Sequence, residues 1–138
     1  MGRNFRTIRA WQLADDLAVT IYEATRPFPR EERYGLVAQM RRAAVSVPAN
    51  IAEGASRSSK KEYAQFLSIA KGSMAELEYY LHLSKRLGYL DEAGYRRLND
   101  LLGHAARTLQ GLYAVVVEQV RGSRAAGRSP GGRETVLV

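Results

Sequence analysis

The stretch Arg41-Arg42-Ala43-Ala44-Val45-Ser46-Val47-Pro48-Ala49-Asn50-Ile51-Ala52-Glu53-Gly54 decides how this chain is read. Its apolar residues recur at three- and four-residue steps on both sides of a proline, which is the pattern of one helix rather than two. Proline has no N–H to donate, and its ring crowds the carbonyl four residues back. A helix kept through Pro48 therefore leaves the Ala44 carbonyl without its partner and is expected to kink there. The distortion costs about 3 kcal/mol, which packing against other helices must offset.

Working outward, the same phase extends back through Leu36 and Met40 and forward to Ala55. Glu31 or Glu32 has the negative charge that suits the start of this second helix. Before it, Ala10, Ala14, Leu17, Ala18, Ile21 and Ala24 mark a first helix from about Thr7 to Arg26, stopped by Pro27-Phe28-Pro29. After it, Ser59-Lys60-Lys61-Glu62 has the form of a capping box. It opens a third helix through Tyr63, Leu67, Ala70, Met74, Leu77 and Leu81, with Gly88 as its stop. Asp91 can cap a fourth helix through Leu98, Leu102, Ala105, Leu109 and Val116 to about Gly122. Connections this short make successive helices antiparallel. The expected fold is all-α, an up-down-up-down four-helix bundle over residues 1–122, its second helix kinked at Pro48. Residues 123–138, rich in Gly, Ser and Arg, are expected to form a disordered basic tail.

With 138 residues the chain has enough length for one domain with its own core. It contains no cysteine, which removes disulfides, thiolate catalysis and thiolate metal sites from consideration. No apolar run approaches the ~20 residues a membrane span requires, so a cytoplasmic protein without membrane contact is expected. The formal net charge is +7. Residues 1–121 carry 18 Lys/Arg against 13 Asp/Glu, and residues 122–138 carry 3 against 1. Such an excess points to an anionic partner, nucleic acid before membrane surface.

Catalytic constellations are missing from the pattern. A dimetal bundle site needs Glu-x-x-His on two helices, whereas Glu78 and His82 are four apart and Leu101 stands three before His104. The serines lie in no Gly-x-Ser-x-Gly elbow. No enzyme activity, metal or cofactor is therefore expected. The candidate nucleic-acid contacts are Arg41, Arg42, Arg57, Lys60, Lys61 and Lys71, with Lys85 and Arg86 further along. They can neutralise phosphates without reading bases. Ordinary solvated residues, partly paired with Glu53, Glu62 and Glu76, are the competing reading. Pro48, Asn50, Glu53 and Gly54 are assigned to shaping the bundle or a subunit contact. Arg41 and Glu53 are twelve residues apart, roughly 18 Å along a helix, too far to pair locally.

The motifs also occur in a telling order. Phe5, Arg6 and Trp11 open the chain; Phe28 to Leu36, Gln39 to Gly54, Ser59 to Leu77 and Arg86 to Leu90 follow. Over about residues 5–120 this closely resembles the bacterial four-helix bundle proteins described as 23S rRNA intervening-sequence proteins, also called S23 ribosomal proteins. The resemblance implies a small bundle tied to insertions in ribosomal RNA genes. Related bundles, including the accessory protein of diversity-generating retroelements, form homopentamers with a basic surface. A self-associating RNA- or DNA-binding protein is thus the leading expectation. The alternative is an interaction scaffold or accessory subunit for a neighbouring enzyme such as a reverse transcriptase.

Overall fold

The computed structural model describes residues 2–127. Among them are four α-helices, α1 Arg9–Thr25, α2 Leu36–Ser56, α3 Lys60–Arg86 and α4 Glu92–Ala126, with short 3-10 turns at Phe5–Thr7 and Arg30–Glu32. Each helix packs on its two neighbours, α1 on α2, α2 on α3, α3 on α4 and α4 back on α1, closing a four-helix bundle. The contacts between successive helices run in opposite senses. Along α2 and its C-cap, residues 40, 46 and 57 meet residues 84, 73 and 66 of α3. Along α3, residues 71 and 85 meet residues 113 and 95 of α4.

The core follows from the periodic apolar positions. Ile21, Met40, Ile51, Leu67, Leu77, Leu81, Leu98 and Leu109 are fully buried, with Ala10, Ala14, Ala44, Ala55, Ala70 and Ala105 between them. The alanines let helix backbones approach closely, while the larger residues fill the space between. Burial at roughly 25 cal/mol per Å2 of apolar surface is the main favourable term.

Pro48 lies inside α2, which continues without a break from Leu36 to Ser56. Both Val47 and Ile51, on either side of the proline, are buried. The packing of this apolar face holds the helix together where the backbone ladder lacks a donor.

Two boundaries and one capping contact differ from the sequence reading. Glu31 and Glu32 belong to the 3-10 turn, and α2 begins only after Gly35. The Glu32 carboxylate still serves the helix from outside, accepting from the Leu36 N–H at 3.4 Å. The Glu62 carboxylate, expected to close back on Ser59, lies 3.7 Å from the Arg57 guanidinium, although the Ser59 hydroxyl does accept from the Glu62 N–H. Finally, α4 passes Gly122 and ends at Ala126, so the first residues assigned to the tail are helical. An interior glycine costs about 1 kcal/mol against alanine. Arg124 in the last turn and Ala125 and Ala126 beside it favour continuation. The remainder of the expected tail, residues 128–138, lies outside the described residues. Gly88 and Asp91 act as read: Gly88 has φ +79° after α3, and the Asp91 carboxylate accepts from the Gly94 N–H at 2.7 Å.

Candidate nucleic-acid interface

The charge of the bundle is sorted by height. One pole gathers the start of the chain, the end of α2, the start of α3 and the end of α4. Arg3 N–H donates to the Ala55 carbonyl at 2.9 Å, and Lys61, Arg121 and Arg124 line one groove. Residues 3–9, 53–62 and 118–126 contribute 8 Lys/Arg and 3 Asp/Glu to this pole. The opposite pole, residues 23–42 and 85–97, has 9 against 5. The middle of the bundle reverses the sign, with Asp15, Asp16, Glu76, Glu78 and Asp100 against Lys71 and Arg107.

The candidate cations therefore do not form one patch. Arg41 and Arg42 belong to the second pole, and sixteen residues of α2, about 24 Å at 1.5 Å per residue, separate Arg41 from Arg57. Arg41 is also engaged internally. Its Nε donates to Thr25 Oγ1 at 3.0 Å, Nη2 reaches the Tyr22 carbonyl at 3.3 Å, and the guanidinium lies 4.6 Å from the Tyr22 ring centroid. Arg57 is paired with Glu53 and Glu62 and stacks 4.8 Å from the Phe66 ring centroid. Lys71 is half-buried with its ammonium 4.2 Å from the Tyr113 ring centroid. Lys85 bridges to Glu92 at 3.0 Å, and that bond draws the Glu92 carboxyl below its ordinary pKa.

Lys60, Lys61 and Arg42 are exposed, with no carboxylate within 4.0 Å among the described residues. The Arg42 guanidinium donates to the Gln39 side chain at 3.1 Å. Around Lys60 and Lys61, Arg3 stacks on Tyr63 at 4.5 Å, Arg6 lies over Phe5 at 4.6 Å, and Arg9 reaches Gln12 at 3.4 Å. Arg3, Arg6, Arg9 and Arg124 were missed in the sequence because only folding brings both ends of the chain beside the α2–α3 turn. Burial raises the Tyr63 pKa, and Arg3 opposes the rise.

The remaining assigned residues face inward or along α2. The Asn50 amide donates to the Ser46 carbonyl at 2.8 Å and to its hydroxyl at 3.0 Å, and the Ser46 hydroxyl is 2.7 Å from that of Ser73 on α3. Asn50 thus serves Ser46 rather than the Ala44 carbonyl left free by Pro48. Glu53 holds Arg57, four residues on, and Gly54 is buried against Tyr63 and Phe66. No group of three or more His, Asp or Glu that could hold a metal occurs among the described residues. No helix described is long and apolar enough to cross a membrane.

Fold and motifs define a small all-α four-helix bundle protein. Residues 6–111 match the family model of the 23S rRNA-intervening sequence protein, and the chain belongs to that family. Its fold is similar to the crystal structure of a protein of unknown function from the S23 ribosomal protein family of Bacteroides thetaiotaomicron VPI-5482. The TM-score is 0.70 at 23% identity, over 76% of this chain and 95% of that one. Among curated proteins none matches the chain.

Proposed function

We propose that this protein is a non-enzymatic, self-associating bundle of the bacterial cytoplasm that binds RNA or DNA through phosphate contacts at its poles. One observation supports the reading: cations are concentrated at the two ends of the bundle, and Lys60 and Lys61 at one of them have no acidic partner among the described residues. Membership of a family named for a ribosomal RNA insertion supports nucleic acid as the anion. Exposed amines without partners exchange condensed counterions for phosphate contacts, which gives affinity without sequence preference.

Self-association strengthens such contacts by repeating them. Val19 and Tyr22 on α1 and Val45 on α2 are exposed apolar side chains, and Arg41 links Tyr22 to the helix turn before Val45. A second copy of the chain is a fitting cover for this face. A homopentamer, as the resemblance implies, would bear about +35 formal charge, with several poles able to engage one polyanion.

The test is light-scattering mass together with titration of a labelled single-stranded RNA and its DNA equivalent at two salt concentrations. The expected result is a mass above the monomer and affinity that falls steeply with salt. Undetectable or salt-independent binding would overturn the proposal.

A further inference from the structure

The corner where α1 hands over to α2 holds a cavity of about 200 Å3. Pro27-Phe28-Pro29 ends α1 and turns the chain through Arg30–Glu32 before α2 begins, and the cavity lies inside that turn. Arg26, Arg30, Arg33 and Arg41 line it, together with Phe28 and Val37, only 8% and 6% exposed. No carboxylate of the described residues lines the cavity. Among the described residues none comes within 4.0 Å of any of the four guanidinium groups. The nearest acids in sequence are engaged elsewhere or exposed: Glu32 accepts from the Tyr89 hydroxyl at 2.9 Å, while Glu23 and Glu31 face solvent.

Four like charges around so small a space repel one another in the free protein, and an entering anion relieves that repulsion. Arg41 is held by Thr25 and Tyr22, and Arg33 lies 5.7 Å from the Tyr34 ring centroid. A guanidinium held as Arg41 is loses less freedom on gripping a ligand, and the planar forks of all four arginines match phosphate oxygens two at a time. A terminal phosphomonoester offers three outer oxygens and close to two negative charges, whereas an internal diester offers two oxygens and one charge. Next to Arg33 in sequence, Tyr34 is 87% exposed, giving a ring face on which an adjoining base can stack.

We propose that this corner binds a terminal phosphomonoester, and that its occupant is the phosphorylated end of a single-stranded nucleic acid. The proposal rests on the nucleic-acid reading and adds to it a contact selective for strand ends, at the pole opposite Lys60 and Lys61. It is tested on the full chain by fluorescence anisotropy with one labelled 12-mer, bearing either a 5′-phosphate or a 5′-hydroxyl, and by calorimetric titration with adenosine monophosphate. The phosphorylated oligonucleotide is expected to bind roughly tenfold tighter, the gain of a charge-assisted bidentate contact. Arg30→Ala with Arg33→Ala, both exposed positions, is expected to erase that preference, with folding checked by circular dichroism. Lys60→Glu with Lys61→Glu is expected to weaken both oligonucleotides and keep their ratio. Equal affinity for the two ends in the unaltered protein, or a preference that survives loss of Arg30 and Arg33, would overturn the proposal. Should neither oligonucleotide bind, the nucleic-acid reading fails by itself. Adenosine monophosphate binding that depends on Arg30 and Arg33 would then keep the phosphomonoester site with a free nucleotide as its source, and no such binding would end it.

Discussion

Gly54 of α2 lies so close to Phe66 of α3 that a Cβ at Gly54 would stand 2.8 Å from the Phe66 Cβ, with Tyr63 Cδ1 at 3.0 Å. The Phe66 Cβ is fixed to its helix backbone and cannot swing aside. Gly54→Ala would improve helix propensity by about 1 kcal/mol. It would also force the end of α2 away from the start of α3, a cost of typically 1–3 kcal/mol for overpacking. Net destabilisation is expected, read as a lower urea midpoint with unchanged slope. A midpoint at or above that of the unaltered chain would show that the two helices yield easily at this point.

Pro48→Ala should move stability the other way. The alanine restores a donor for the Ala44 carbonyl and removes a cost of about 3 kcal/mol. It also deletes two buried ring methylenes worth about 0.8 kcal/mol each. A net gain of about 1 kcal/mol is expected, measured as a higher thermal midpoint. A clear loss would mean that the shape given by the proline is needed for α2 to pack.

These two positions show what kind of information the sequence makes legible. Helix phase through Pro48, the cap at Ser59, the stop at Gly88 and the cap at Asp91 depend on neighbours a few residues away, so spacing alone reveals them. The start of α2 was less legible because Tyr34 and Gly35 interrupt the chain after an acidic pair that looked like a helix N-terminus. Individual cations were least legible. Arg41, Arg57 and Lys71 are engaged by Thr25, Phe66 and Tyr113, aromatic or hydroxyl partners that no charge count considers. The four-arginine corner likewise depends on how tightly two prolines fold the connection back.

Tyr89 gives a test in pH. Its hydroxyl donates to the Glu32 carboxylate at 2.9 Å, and that bond first, then desolvation and the charges of Glu32 and Glu31, raises its pKa above the ordinary 10.0. Because the protonated phenol is the bonded form, its contribution is complete below the unfolded pKa and is lost as pH rises through the higher folded value. Tyr89→Phe is therefore expected to melt below the unaltered chain at pH 7 and pH 9. The gap should shrink as the pH rises through the folded value, where the bonded phenol loses its proton. A gap that stays constant across this range would remove the Glu32 bond as its cause.

Arg57 and the pair Lys60 and Lys61 lie within one turn of chain yet should fail in different assays. Arg57 is held by Glu53, Glu62 and Phe66, and its Nε is buried without an acceptor, which offsets part of what those contacts contribute. Exposed ion pairs are worth about 0.2–1 kcal/mol, so Arg57→Ala is expected to cost about 1 kcal/mol of stability once the Phe66 stacking is included. Its charge is already balanced locally, so RNA affinity at moderate salt should change by less than about twofold. Lys60→Glu with Lys61→Glu should leave the melting curve nearly unchanged. It should weaken RNA binding by about tenfold or more and reduce the slope of log affinity against log salt by about 1–2, as two phosphate contacts are lost. Paired thermal melts and salt titrations on both variants separate these outcomes. If Arg57→Ala lowers the salt slope while the lysine reversal leaves it unchanged, the phosphate contacts belong to the arginine, and the local pairing with Glu53 and Glu62 does not shield it.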